Sequence, residues 1–125
     1  MESEYEANLW RTIHGQSYDF CVSSNWKTKY FDSLDSEDEK DKVRSTLLKM
    51  LESTEYPMGK KTLIAHVCAD LRILEAIRPV EKLRNEASGS LKYAFTLSYE
   101  ALSRGVSVPE LTRDVWSKAI AECKE

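Results

Sequence analysis

The chain has little glycine or proline, few cysteines and histidines, and no long apolar run. With 4 Gly and 3 Pro in 125 residues, it lacks the dense turn chemistry of a β-sandwich or barrel, and its few breakers become the punctuation by which it divides. Cys21, Cys68 and Cys123 are odd in number and far apart, which supplies no disulfide framework and fits a reducing compartment. There is no Cys-x-x-Cys and there are only two histidines, His14 and His66, so structural zinc is short of its four ligands. The longest apolar run, Thr62 to Ala69, contains His66 and falls far below the roughly 20 residues that span a bilayer. The opening residues, Met1 to Glu6, are acidic where a secretory signal would be basic and then apolar, so a cytoplasmic protein without a membrane partner is expected.

What is present is a globular composition, 42% hydrophobic and 31% charged. A chain of this length buries about two thirds of its unfolded surface, enough for one core, and a single domain over 1–125 is expected. The net charge of −3 is unevenly spread. Residues 1–55 carry 12 acidic and 7 basic side chains, residues 56–125 carry 9 and 11. Six carboxylates, Asp32, Asp35, Glu37, Asp38, Glu39 and Asp41, fall within ten positions. Such a block attracts cationic surfaces over about 8–10 Å at physiological salt.

Ser3 with Glu6, Ser36 with Glu39, and Ser107 with Glu110 each have the spacing of a capping box. Apolar positions at helical period follow each: Tyr5, Leu9 and Ile13; Val43, Leu47, Met50 and Leu51; Leu111, Val115, Ala119 and Cys123. Helices are therefore expected at 4–14, 37–54 and 108–123. Trp26, Tyr30 and Phe31 give an aromatic face to a helix at 26–33, and residues 61–77 keep a helical period throughout. A short helix opened by Pro79 reaches Ser88, and Gly89 breaks it. Tyr18, Phe20 and Val22 alternate with polar neighbours, which reads as an extended element near 17–23. Residues 91–99 fit both a strand, by strict alternation, and a helix, by the set Leu91, Ala94, Phe95 and Leu102. The sum is a mainly α protein, a bundle of about five helices; the alternative is α+β with a small sheet from 17–23, 71–78 and 91–99.

Several chemistries lack their residues. His66, Cys68 and Asp70 lie within five positions, but on a helix only His66 and Asp70 share a face, so no metal and no cofactor is expected. Counted from Asp35, a calcium loop would find Lys40 in place of its glycine and Thr46 in place of its bidentate glutamate. Gly59 to Thr62 resembles the end of a phosphate-binding loop, but the glycine required five residues earlier is Thr54. No nucleophile elbow accompanies either histidine, so no catalytic residue is assigned. The 60–92 region is net positive through Lys60, Lys61, Arg72, Arg78, Lys82, Arg84 and Lys92. Glu100 to Leu111 has the outline of a helix-turn-helix, which makes a DNA-binding regulator the second alternative, although Arg104 and Asp114 stand at positions that such a motif keeps apolar, and a pI near 5.5 argues against direct nucleic-acid binding.

Tyr18–Val22, Tyr30–Leu34 and the helix Asp41 to Leu51 resemble the strand–helix–helix opening of small RelE/HigB-type ribonuclease toxins. The resemblance covers under half of the chain and implies strands at 71–77 and 91–99 and an endoribonuclease activity. It carries over no catalytic residue, and those toxins are normally basic. The leading expectation is instead a non-enzymatic binding protein of the immunity-protein or antitoxin type that neutralises a basic protein partner, such as a nuclease toxin. The expected contact residues are the six carboxylates, with Trp26 and Tyr30, and Phe31 beside them, as aromatic anchors.

Overall fold

In the computed structural model, which describes residues 4–15, 27–108 and 110–112, the chain is mainly helical. The order is α1 (Glu4–Gly15), a π-helical turn (Lys27–Phe31), α2 (Glu37–Glu52), α3 (Met58–Asp70), a 3-10 turn (Leu74–Ala76), α4 (Ile77–Glu86) and α5 (Gly89–Arg104). Val108 and residues 110–112 are again helical. The long apolar run becomes the central helix. A helix that is apolar on every side has to be surrounded, and Ile64, Ala65, Val67, Cys68 and Ala69 of α3 are all fully enclosed. Helix α2 covers one side of it and α5 another, while α4 packs along α5. From α2 come Val43, Leu47, Met50 and Leu51, the positions that the helical period selects. No described helix is long and apolar enough to cross a membrane.

The segment 91–99 lies inside α5, and the side chains show why. Ala94, Phe95, Ser98, Ala101 and Leu102 are buried at helical spacing, whereas Tyr93, which a strand would place beside Phe95, is 64% exposed. The stretch 71–78 is turn, 3-10 turn and the start of α4. There is thus no strand among the described residues, and neither the α+β alternative nor the sheet implied by the toxin resemblance forms at these two places. The expected extended element at 17–23 lies outside the described residues.

Three expected boundaries need correction, the first being that α4 begins at Ile77, two residues before Pro79, and ends at Glu86, while Gly89 opens α5. The helix at 26–33 is a single wide turn, closed by the Asp32 N–H donating to the Lys27 carbonyl at 2.8 Å, five residues back. The helix at 61–77 is two helices, because Arg72 adopts a left-handed conformation (φ 56°). Its N–H donates to the Ala69 carbonyl and the Ile73 N–H to the Cys68 carbonyl, both at 3.0 Å, which is the Schellman closure of a helix. Gly105 (φ 71°) ends α5 by the same pair of bonds, to Leu102 and Ala101. Glycine is the usual residue in this conformation and arginine is not. Arg72→Gly is accordingly expected to stabilise the fold by up to about 1 kcal/mol, the relief of left-handed strain exceeding the added freedom of the unfolded chain. Urea unfolding checks this; a loss of stability would mean that the exposed Arg72 side chain holds something here.

The capping boxes fare differently. At Ser107 and Glu110 both reciprocal bonds form, each at 3.3 Å. At Ser36 the hydroxyl accepts from the Glu39 N–H at 3.2 Å. Ser3 lies outside the described residues, and the Glu6 carboxylate is turned instead toward Tyr56 and Lys49. The last expected helix, 108–123, is described only as far as Thr112.

Candidate functional site

The six carboxylates gather around the start of α2, where the Ser36 cap and the positive end of the helix dipole favour them. All six are exposed. Their surroundings divide them into two sets. Asp32 is paired with Lys27 at 3.1 Å, Glu37 lies 3.7 Å from Lys40 and 3.8 Å from Arg44, and Asp41 holds Arg44 one turn along the helix. Asp35, Asp38 and Glu39 have no ion pair among the described residues. Lys40 and Arg44 lie 5.8 and 5.3 Å from the centre of the Phe31 ring, and Lys42, the helical neighbour of Asp38 and Glu39, lies 4.2 Å from that of Tyr5. These contacts engage the three cations with aromatic rings. By the 100° step of an α-helix, Asp38 points away from Val43, Leu47 and Met50, toward solvent.

The aromatic residues expected as anchors are placed otherwise. Phe31 is only 5% exposed and belongs to the core. Tyr30 is half-buried and packs against that core. Trp26 lies outside the described residues.

Three lysines fasten α1 beside this region. Lys42 sits 4.2 Å from the Tyr5 ring centre and Lys60 5.2 Å from that of Trp10. Lys49 lies 3.0 Å from the Glu6 carboxylate, which is itself buried and accepts the Tyr56 hydroxyl at 2.8 Å. Burial works to raise the Glu6 pKa, but the bonds from Lys49 and Tyr56 outweigh it, so the carboxyl ends below its ordinary value. Burial, with Tyr30 and Glu39 adding to it, raises that of Tyr5.

The His66, Cys68 and Asp70 triplet does not converge. His66 and Asp70 face each other at 3.8 Å between nitrogen and oxygen, both buried, while Cys68 is enclosed separately. Burial pushes the Cys68 thiol far above its usual range, which leaves no thiolate for catalysis or metal binding. Among the described residues no group of three or more His, Cys, Asp or Glu could hold a metal ion.

The basic region separates into unlike environments. Lys60 goes to Trp10, and the Arg84 guanidinium stacks 4.4 Å from the Tyr99 ring centre. Arg72 and Lys92 are exposed. Lys61, Arg78 and Lys82 instead line one cleft of about 470 Å³ between the end of α2 and the face of α4, together with Glu52 and Glu86. Sequence reasoning saw these lysines and arginines only as a charge total. The available signal was the spacing of Arg78, Lys82 and Glu86, four apart and so on one helical stripe. For the helix-turn-helix outline, the turn at Gly105 is present, but most of its second helix lies outside the described residues.

No protein-family model matches this chain, and neither the curated proteins nor the solved structures contain a match to it.

Proposed function

We propose that the chain is a non-enzymatic binding protein that engages and neutralises a basic protein partner through the acidic start of α2, in the manner of an immunity protein or antitoxin. The observation that carries this reading is the division among the six carboxylates. Three are neutralised by neighbours, whereas Asp35, Asp38 and Glu39 are exposed with no cation paired to them among the described residues. Asp38 and Glu39 belong to the first turn of α2, where the helix dipole also favours them, and Asp35 stands just before the Ser36 cap. Free charges on a rigid helix end raise the rate of encounter with a cationic surface and select against acidic ones. Because Phe31 and Tyr30 are committed to packing, affinity rests on the charged face and its rim, with Trp26 the remaining aromatic candidate.

The test follows from the division. A basic protein captured from the native cell by the tagged chain is titrated against two triple variants. Asp35→Asn/Asp38→Asn/Glu39→Gln is expected to weaken binding by roughly tenfold or more. Asp32→Asn/Glu37→Gln/Asp41→Asn, which removes charges already satisfied within the chain, is expected to change it by less than about threefold. Equal affinities for both variants and the wild type would rule the acidic face out as the contact.

A further inference from the structure

Lys61 is only 8% exposed, which is unusual for lysine. It stands in the first turns of α3 with its stem covered, and it lines the cleft shared with Arg78 and Lys82. None of these three cations has an ion pair or hydrogen bond among the described residues, although Glu52 and Glu86 line the same cleft. Burial, with Lys82 beside it, holds the Lys61 ammonium below the usual lysine range; Glu86 opposes this without cancelling it. Lys61 thus keeps its stem covered and presents its ammonium at the wall of a cleft that two more cations line, an excess of positive charge over Glu52 and Glu86 that suits an anion. The volume lies in the range of small-molecule sites, and Leu51, Pro79 and Leu83 give it apolar walls.

We infer that this cleft binds a small phosphate monoester, its dianionic head among Lys61, Arg78 and Lys82 and its hydroxyl-bearing body along Glu52 and Glu86. The charges of the lining set the class. Three cations lining one cleft suit a dianion with several acceptor oxygens. The two carboxylates accept hydrogen bonds and repel further negative charge, so they call for hydroxyl or amino groups on the rest of the ligand and disfavour a polyanion such as nucleic acid. The site is separate from the acidic face: Asp38 and Glu52 are about 21 Å apart at 1.5 Å per residue along α2.

The experiment measures the melting temperature and the Kd of the full chain with ribose 5-phosphate, inorganic phosphate, ribose and sodium chloride, all at one ionic strength. Ribose 5-phosphate is expected to raise the melting temperature and to bind more tightly than inorganic phosphate, with ribose and chloride inactive. Lys61→Met keeps the apolar stem and removes the charge. It is expected to melt no lower than the wild type while losing the response to both phosphates, which separates a lost site from a lost fold. Arg78→Gln, at an exposed position, is expected to weaken ribose 5-phosphate at least tenfold and serves independently of the Lys61 variant. No response of the wild type beyond that to chloride overturns the inference, as does an unchanged Kd in both variants. Phosphate bound as tightly as ribose 5-phosphate overturns it too, since Glu52 and Glu86 would then contribute nothing to recognition.

Discussion

Phe95→Ala is expected to destabilise the protein by about 3–5 kcal/mol, the usual cost of removing a large enclosed side chain together with the cavity it leaves. Phe95 is fully buried in α5, the helix that packs against both α3 and α4. Domains of this size are stable by only about 5–15 kcal/mol, so the variant is close to unfolding at body temperature. Tyr93→Ala, two residues away, is expected to stay within about 0.5 kcal/mol because Tyr93 is 64% exposed. The contrast separates the two conformations that the alternating pattern permits. On a strand, Tyr93 and Phe95 would share one face and their truncations would cost alike; on a helix they lie 200° apart. Urea unfolding of both variants, with similar m-values, decides the matter, and comparable losses would contradict helix α5.

Tyr56→Phe is expected to cost about 1.5–3 kcal/mol near neutral pH, the range for a hydrogen bond to a charged group. The bond ties Glu6 of α1 to the segment between α2 and α3, fifty residues away, and it helps hold the Glu6 carboxyl below its ordinary value against the opposing effect of burial. The sign follows from linkage. A carboxyl whose pKa is lower in the folded state than in the unfolded contributes stability above its unfolded value, here near 4.5, and loses it as the pH falls through the folded value. The gap between wild type and variant is therefore widest at neutral pH and closes in acid, where Glu6 is protonated in both. Guanidinium unfolding measured at pH 7 and pH 3 shows this; a gap that stays constant would mean that Tyr56 acts by packing and not through the carboxylate.

Much of this architecture is legible in the sequence where two local signals coincide. Helix α2 has both a serine cap and four apolar residues in register, and its observed start, Glu37, is the expected one. The closure at Gly105 was legible because glycine marks the left-handed turn. The equivalent closure after α3 was not, because Arg72 occupies that position and an arginine announces nothing about φ. The period running from Ile64 to Leu74 therefore reads as one helix while the chain makes two. The π-helical turn was hidden for a similar reason, since Tyr30 and Phe31 fit a helical face whether the turn closes in four residues or five.

The candidate sites follow the same logic. The acidic block was plain as composition, but which acids are already satisfied depends on Lys27, Lys40 and Arg44 and on the Phe31 ring that holds two of them. Those are spatial facts. The Lys61 cleft needs the end of α2 and the face of α4 to meet beside α3, and the first two are far apart in the chain, as Glu52 and Arg78 show, so no local pattern announces the contact. The division of charge into an acidic half and a mildly basic half thus becomes two places at opposite ends of α2.

The acidic face is tested most directly by the rate at which the captured basic partner associates, followed by stopped flow from low salt to about 0.5 M, where screening shortens to a few ångströms. Steering by Asp35, Asp38 and Glu39 predicts a wild-type rate that falls by tenfold or more across that range. It also predicts a flattened dependence in Asp35→Asn/Asp38→Asn/Glu39→Gln, with the two curves meeting at high salt. A rate indifferent to salt, or equal slopes for wild type and variant, would contradict binding through the start of α2.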